Sequence, residues 1–114
     1  MSFGDSIKTC LAKYATFAGR ASRPEFWWFM LFQFLASAAV AFVSEALAGA
    51  ISLALLLPIL AAQARRLHDI GKSGWLMLVG LIPIIGWIVV IYWSVQPGNQ
   101  SANDYGEAPA VSAP

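Results

Sequence analysis

Charged side chains are scarce in this sequence. Asp, Glu, Lys and Arg make up only 11% of its 114 residues, whereas about 25% of an average soluble domain is charged. Hydrophobic residues make up 59%. A small domain buries only about 60% of the surface that its unfolded chain exposes, so this much apolar surface cannot all be hidden. The composition therefore predicts a single domain that is embedded in a membrane.

Cysteine and histidine occur once each, as Cys10 and His68. A lone cysteine excludes an internal disulfide, and a metal centre needs three or four ligands that this chain does not offer. The net charge is only +1, which gives no basic excess for nucleic acid. We therefore expect no metal, no cofactor, no nucleic-acid partner and no catalytic residues.

Two long runs without charge, 26–44 and 46–64, are separated only by Glu45. One straight helix over both runs would be about 58 Å long, far more than the roughly 30 Å of a bilayer's hydrocarbon core. The chain must turn back between residues 44 and 49, which predicts antiparallel membrane helices at about 26–44 and 47–66. A cleaved signal peptide is rejected, because the apolar run continues well past the small residues at 36–38.

A third uncharged run, 75–95, is about 31 Å long as a helix. Residues 83–86 (PIIG) lie near its middle. Either this segment is one kinked crossing, or it is a re-entrant hairpin whose two ends lie on the same side. We predict the crossing, because a hairpin would leave its turn unpaired in lipid unless neighbouring helices cover it.

Residues 1–25 precede these runs and carry an apolar stripe at helical spacing that includes Phe3, Ile7, Cys10 and Tyr14. Such a helix can lie in the headgroup plane or pack on the protein's own bundle. The predicted fold is thus all-α: three transmembrane helices preceded by an amphipathic interfacial helix. One membrane domain covers 1–98, and a flexible polar tail covers 99–114.

All seven basic residues fall in the N-terminal region and the loop 65–74. Basic residues hold their side of a membrane protein in the cytoplasm. The N-terminus and this loop are therefore predicted to be cytoplasmic, and three crossings would put the C-terminus on the opposite, periplasmic side.

The loop 65–74 contains the densest charge in the chain. Its Gly71-Lys72-Ser73 lacks the glycine that a phosphate-binding loop needs five positions earlier, since Arg66 stands there. Arg65 and Arg66 suit the end of a helix, where cations favour the dipole, and Asp69 can pair with one of them. A structural role is therefore favoured over chemistry, although an ordered basic loop can also bind anionic headgroups.

Several motifs resemble one known family. They are residues 17–27 (FAGRASRPEFW), 64–75 (ARRLHDIGKSGW), 82–87 (IPIIGW), 97–98 (PG) and 103–106 (NDYG). The chain resembles, over nearly its whole length, the domain of unknown function 805, a family of small bacterial inner-membrane proteins. The resemblance implies a multi-pass protein of that membrane and no known reaction.

We therefore hypothesise a non-enzymatic inner-membrane protein whose basic cytoplasmic face docks anionic lipid or a partner protein. A second copy of the chain or another membrane protein is the expected kind of protein partner. The alternative is an oligomeric component that transports a small solute. The candidate lipid- or partner-binding residues are Arg20, Arg23, Arg65, Arg66, His68, Asp69 and Lys72.

Overall fold

The computed structural model describes residues 2–99 and 101–106, and within them every regular element is helical. The α-helices are α1 (Phe3–Ala12), α2 (Arg23–Ala41), α3 (Glu45–Asp69) and α4 (Ile85–Val95). A 3-10 segment, Gly74–Leu81, precedes α4. The predicted all-α class is confirmed, and α2 and α3 contain most of the two long helices expected from the apolar runs.

Helices α2 and α3 form an antiparallel pair joined by a short turn. Ser44 caps α3 by accepting a hydrogen bond from the amide of Leu47 at 3.1 Å. In the turn, Phe42 is 94% exposed. Among the described residues, only α3 is long and apolar enough throughout to cross a bilayer by itself.

Helix α1 packs on α2. The ring of Phe3 meets Trp28 edge to face at 5.5 Å between centroids, and Cys10 is buried beside Phe26 and Phe29 of α2. The sequence left two positions open for this helix, in the headgroup plane or packed on the protein's own bundle. These contacts are those of a helix packed on the bundle. Its depth in the membrane remains a prediction.

Pro58 lies inside α3 and has no amide hydrogen to give to the carbonyl of Ala54, four residues earlier. The hydroxyl of Tyr14, just beyond α1, donates to that carbonyl instead. Membrane helices tolerate proline where a neighbour satisfies the freed group. Tyr14 thus ties the N-terminal region to the long helix.

The third apolar run is not one helix but is divided into the 3-10 segment and α4, so the predicted crossing over 75–95 is not confirmed. The chain reverses at Ile84, whose backbone has φ 67° and ψ −67°. The amide of Ile85 donates to Pro83 O at 2.7 Å, which closes a γ-turn. A Cβ added to Gly80 would lie 3.7 Å from a methyl group of Val90, so the two legs pack on each other. We call residues 74–95 the apolar hairpin.

Each leg of the apolar hairpin is about 16 Å long, roughly half the hydrocarbon thickness. Both of its ends meet the C-terminal part of α3: a Cβ on Gly74 would lie 2.9 Å from that of Ala64, and Ser94 O accepts from Arg66 at 2.9 Å. The chain after the hairpin therefore returns to the side of the loop 65–74. The predicted periplasmic position of the C-terminus is therefore not confirmed, and residues 107–114 lie outside the described residues.

The predicted flexible tail, 99–114, is only partly described, since residue 100 and residues 107–114 lie outside the described residues. Its described part contacts the rest of the protein. The amide of Asn99 donates to Asp69 O at 2.7 Å, and Asn103 donates to His68 O at 2.9 Å.

Candidate functional site

Five charged side chains are buried together where α2, α3 and the apolar hairpin meet. Arg65, Arg66 and Asp69 have no exposed surface, Glu25 is 3% exposed and Arg20 is 6% exposed. We call these five residues the arginine cluster. Burying a charge is costly unless it is paired and hydrogen-bonded, so the partners of each group decide what the cluster does.

Asp69, at the end of α3, bridges two of the arginines. One carboxylate oxygen accepts from Arg20 Nε at 2.9 Å, and the other accepts from Arg66 Nη1 at 2.7 Å. Arg66 and Asp69 are three residues apart on one helix, so the expected pairing of Asp69 with a loop arginine is confirmed. Arg20 comes from the segment before α2, and this bridge fixes that segment to α3.

The third arginine, Arg65, pairs with Glu25 of α2 and donates from Nε to Thr16 O at 3.1 Å. Ser22 caps α2 and accepts from the amide of Glu25 at 3.4 Å. Ser22 and Glu25 have the spacing of a reciprocal capping box, in which the glutamate would return a bond to the cap. Here the carboxylate reaches across to α3 instead.

Arg66 also donates to main-chain carbonyls just before α2 and at the end of α4. Its Nε donates to Ser94 O at 2.9 Å and its Nη1 to Ala21 O at 3.1 Å. Nη2 donates to Gln96 O. The last carbonyls of a helix have no partner within that helix, and Arg66 supplies one where α4 ends.

Arg20 binds the tail in the same way. Nη1 donates to Ser101 O at 2.9 Å and to Gly106 O at 3.1 Å, and Nη2 donates to Asn99 O at 2.5 Å. One guanidinium group therefore holds three carbonyls of the described tail. Composition alone gave no signal of this docking, because the bonds use main-chain carbonyls, which every residue has.

Four of the proposed lipid- or partner-binding residues, Arg20, Arg65, Arg66 and Asp69, thus lie inside the protein. A headgroup cannot reach them while these contacts hold. The remaining three, Arg23, His68 and Lys72, are partly exposed. The structure brings the buried four together and leaves the other three around them.

Gly98 lies against the arginine cluster, and sequence reasoning did not identify it. A Cβ at this position would lie 1.9 Å from Asp69 Oδ2, so any side chain would displace the carboxylate that bridges the two arginines. The sequence signal was the Pro97-Gly98 pair, which indicated only a turn.

His68 lies at the edge of the arginine cluster. Its Nδ1 is 2.8 Å from Gly19 O, and because a carbonyl can only accept, Nδ1 carries the hydrogen. The ring stacks on Tyr105 with 3.9 Å between centroids and 1° between planes. In the tautomer with this hydrogen on Nδ1, Nε2 carries a lone pair, and it has no hydrogen-bond partner among the described residues.

A cavity of about 510 Å³ lies beside this ring pair. Aromatic rings form much of its wall, namely those of Phe17, Trp75 and Tyr105, and His68, Ser73 and Gly74 complete its polar end. Ser73 caps the 3-10 segment by accepting from the amide of Trp75 at 3.3 Å. Cavities of this size bury drug-sized molecules.

Lys72 and Arg23 flank the other leg of the apolar hairpin. The Lys72 ammonium lies 5.4 Å from the centroid of a Trp93 ring, and Arg23 donates to Val95 O at 3.2 Å. Trp27 donates from its indole nitrogen to Ser94 O at 3.1 Å. Cations and indoles together at the end of apolar segments are typical of a membrane–water boundary.

Other polar side chains are used inside the protein. Gln63 donates to Ser94 Oγ of the apolar hairpin at 3.1 Å, and Gln33 donates to Ser37 of its own helix at 3.1 Å. Within residues 2–99 and 101–106, no three His, Cys, Asp or Glu side chains are placed to hold a metal ion. Burial, and then the charge of Glu25, raise the pKa of the Cys10 thiol from 9.0 to about 11.

Comparison with known proteins places the chain in a family. Residues 14–107 match the family described as protein of unknown function DUF805. The Escherichia coli (strain K12) inner membrane protein YhaH is 34% identical over 112 residues, covering 89% of this chain and 93% of the relative. The inner membrane protein YhaI of the same strain is 35% identical over 106 residues, covering 87% and 90%. No solved structure matches. The chain belongs to the DUF805 family, and its relatives there are proteins of the bacterial inner membrane.

Proposed function

We propose that this protein is a non-enzymatic inner-membrane protein whose cytoplasmic face docks anionic lipid headgroups. The exposed cations on that face bind the lipid, and the arginine cluster holds the face together. The N-terminus, the loop 65–74 and the described tail all lie on this side. Its charge supports a cytoplasmic orientation, because the seven Lys and Arg residues are all here, whereas Glu45 stands alone at the opposite turn.

The position of Lys72 carries the proposal. Its ammonium is held over Trp93, where both legs of the apolar hairpin leave the apolar region. Among the described residues no carboxylate forms an ion pair with it, since the three ion pairs there belong to the arginine cluster. An unpaired lysine fixed beside an indole at this level is placed to meet a phosphate.

Other cations extend this surface. Lys8 and Lys13 are exposed in and just after α1, and Arg23 is partly exposed at the start of α2. We call Lys8, Lys13, Arg23 and Lys72 the basic rim. Each basic residue near an anionic leaflet contributes about 1 kcal/mol of attraction. Among the described residues, the exposed acidic residues on this side are Asp5 and Asp104, so the four cations of the basic rim exceed them by two.

Lipid retention tests the proposal. The protein is reconstituted with equal amounts of phosphatidylglycerol and phosphatidylcholine, extracted into mild detergent, and the retained lipid is measured by mass spectrometry. We expect phosphatidylglycerol to be enriched severalfold, and we expect Lys8→Gln, Lys13→Gln and Lys72→Gln together to bring the ratio close to one. Salt should weaken the enrichment, because exposed charges are screened.

Glu45→Gln is the matched control, since it also changes the net charge but lies at the opposite turn, and it should keep the wild-type ratio. Equal retention of the two lipids by the wild-type protein would overturn the proposal. The proposal would also be overturned if a photo-crosslinker at residue 72 formed a discrete protein adduct in cells while the protein showed no lipid preference in vitro.

A further inference from the structure

We infer that the cavity beside His68 binds an uncharged, ring-bearing hydroxyl compound dissolved in the membrane, of the phenol or hydroquinone type. This site is separate from the basic rim. The inference rests on three features of the cavity: the lone pair at its polar end, the aromatic character of its walls, and its position between the polar cluster and the apolar hairpin.

The polar end decides the charge and the hydrogen-bonding type of the ligand. Because Nδ1 of His68 donates to Gly19 O, Nε2 faces the cavity as an acceptor. An anion would be repelled by this lone pair, and no lysine or arginine lines the cavity. A neutral O–H group satisfies Nε2, and in a mostly apolar cavity that bond is worth more than it would be in water.

The walls favour a flat ring. Phe17, Trp75 and Tyr105 contribute aromatic faces, and the Tyr105 ring is already parallel to His68. Aromatic pairs gain about 0.5–1.5 kcal/mol beyond the area that they bury. An acyl chain would fill the volume but would leave the acceptor without a partner.

The position of the cavity favours a molecule that arrives through lipid. Trp75 and Leu78, at the start of the apolar hairpin, are 77% and 50% exposed, so the wall of the cavity is continuous with an apolar surface. Gly74 keeps the polar end open, because a Cβ there would lie 2.9 Å from Ala64 Cβ and 3.2 Å from His68 Nε2.

Two matched probes test the site: 1-naphthol, which has an O–H donor, and 1-methoxynaphthalene, which has the same rings and no donor. Binding is measured by equilibrium dialysis of protein in nanodiscs against empty nanodiscs, which corrects for partition into lipid. We expect saturable binding, with naphthol about fivefold tighter than its ether because of one net hydrogen bond.

Two variants separate the acceptor from the walls. His68→Phe keeps a ring against Tyr105 and removes the acceptor, so the preference for naphthol should fall to about one while the ether binds as before. Trp75→Ala changes an exposed residue with little risk to folding, and it should weaken both probes equally. Non-saturable uptake, equal affinity of the wild-type protein for the two probes, or a naphthol preference that survives His68→Phe would each overturn the inference. The lipid ratio of the basic rim is measured on the same preparations, so the two proposals fail independently.

Discussion

The hydroxyl of Tyr14 donates to the carbonyl of Ala54, the one carbonyl that Pro58 leaves without its helical donor. Removing this hydroxyl leaves a carbonyl unsatisfied in an apolar part of the protein. We expect Tyr14→Phe to lower the free energy of unfolding by about 1–3 kcal/mol, measured by reversible denaturation in mixed micelles.

A double-mutant cycle with Pro58→Ala is the control for this bond. Alanine at 58 restores an amide that can donate to Ala54, so Tyr14→Phe should cost clearly less in that background. An equal cost in both backgrounds would mean that Tyr14 acts only through packing.

Asp69 is the shared acceptor of Arg20 and Arg66. Asp69→Asn keeps the shape and removes the charge, which leaves two buried guanidinium groups without an anion. Breaking a buried pair in this way costs about 3–5 kcal/mol, so we expect a loss of that size in the free energy of unfolding. Asp104→Asn, at an exposed position, should change it by no more than about 0.5 kcal/mol. Similar values for the two variants would contradict the bridging role of Asp69.

Two glycines make a matched pair. Gly98→Ala puts a methyl group onto the Asp69 carboxylate and should destabilise the protein by about 1–3 kcal/mol. Gly49 lies in α3 with nothing within 4 Å of an added Cβ, so Gly49→Ala should stabilise it by about 0.5–1 kcal/mol. Thermal unfolding of both variants tests the contrast, which would be lost if residue 98 did not touch the cluster.

The course of the apolar hairpin can be tested with single cysteines in a Cys10→Ala background. Cysteine replaces Lys13, Phe42 or Ala102, all exposed positions, and a membrane-impermeant maleimide is applied to intact cells and to inverted vesicles. We expect residues 13 and 102 to react from the same side, and residue 42 from the other. Labelling of residue 102 from the side of residue 42 would mean that the segment crosses the membrane.

The thiol of Cys10 should react slowly in the folded protein. A pKa of about 11, raised from 9.0 by burial and by Glu25, leaves about 100-fold less thiolate at pH 8 than an unperturbed thiol has, and burial limits access further. We expect maleimide labelling at least 100-fold slower than in the denatured chain, with the rate rising as pH is raised from 7 to 9. Labelling as fast as that of an Ala102→Cys variant would contradict this environment.

Features that depend on local spacing could be predicted from the sequence. Glu45 between two apolar runs predicted the turn before α3, and Asp69 three residues after Arg66 predicted an ion pair. Each of these involves residues within about one helical turn, where side-chain type and spacing decide the outcome.

Features that depend on distant partners could not be predicted. In the sequence, Arg66 resembles a surface residue at the end of a helix. The carbonyl of Ser94, which accepts its hydrogen bond and makes its burial possible, is 28 positions away. The apolar hairpin was weighed as the alternative at residues 83–86 but not preferred, because nothing charged marks its turn and Ile84, with φ 67°, resembles any other apolar residue in the sequence. The hydrogen bonds within the turn, from Ile85 N to Pro83 O and from Gly86 N to Ile82 O, become visible only in the fold.

The bond between Arg20 and the carbonyl of Gly106 joins positions 86 residues apart. A ribosome adds about 5–20 residues per second, so several seconds of synthesis separate the appearance of these two partners. During that interval Arg20 has none of its tail contacts, although Asp69, its other partner, is already present before the tail is made. Once residues 99–106 have been made, the guanidinium group of Arg20 donates to their carbonyls and is buried. The contacts that join the segment before α2 to the tail can therefore form only after helices α1 to α4 have been made.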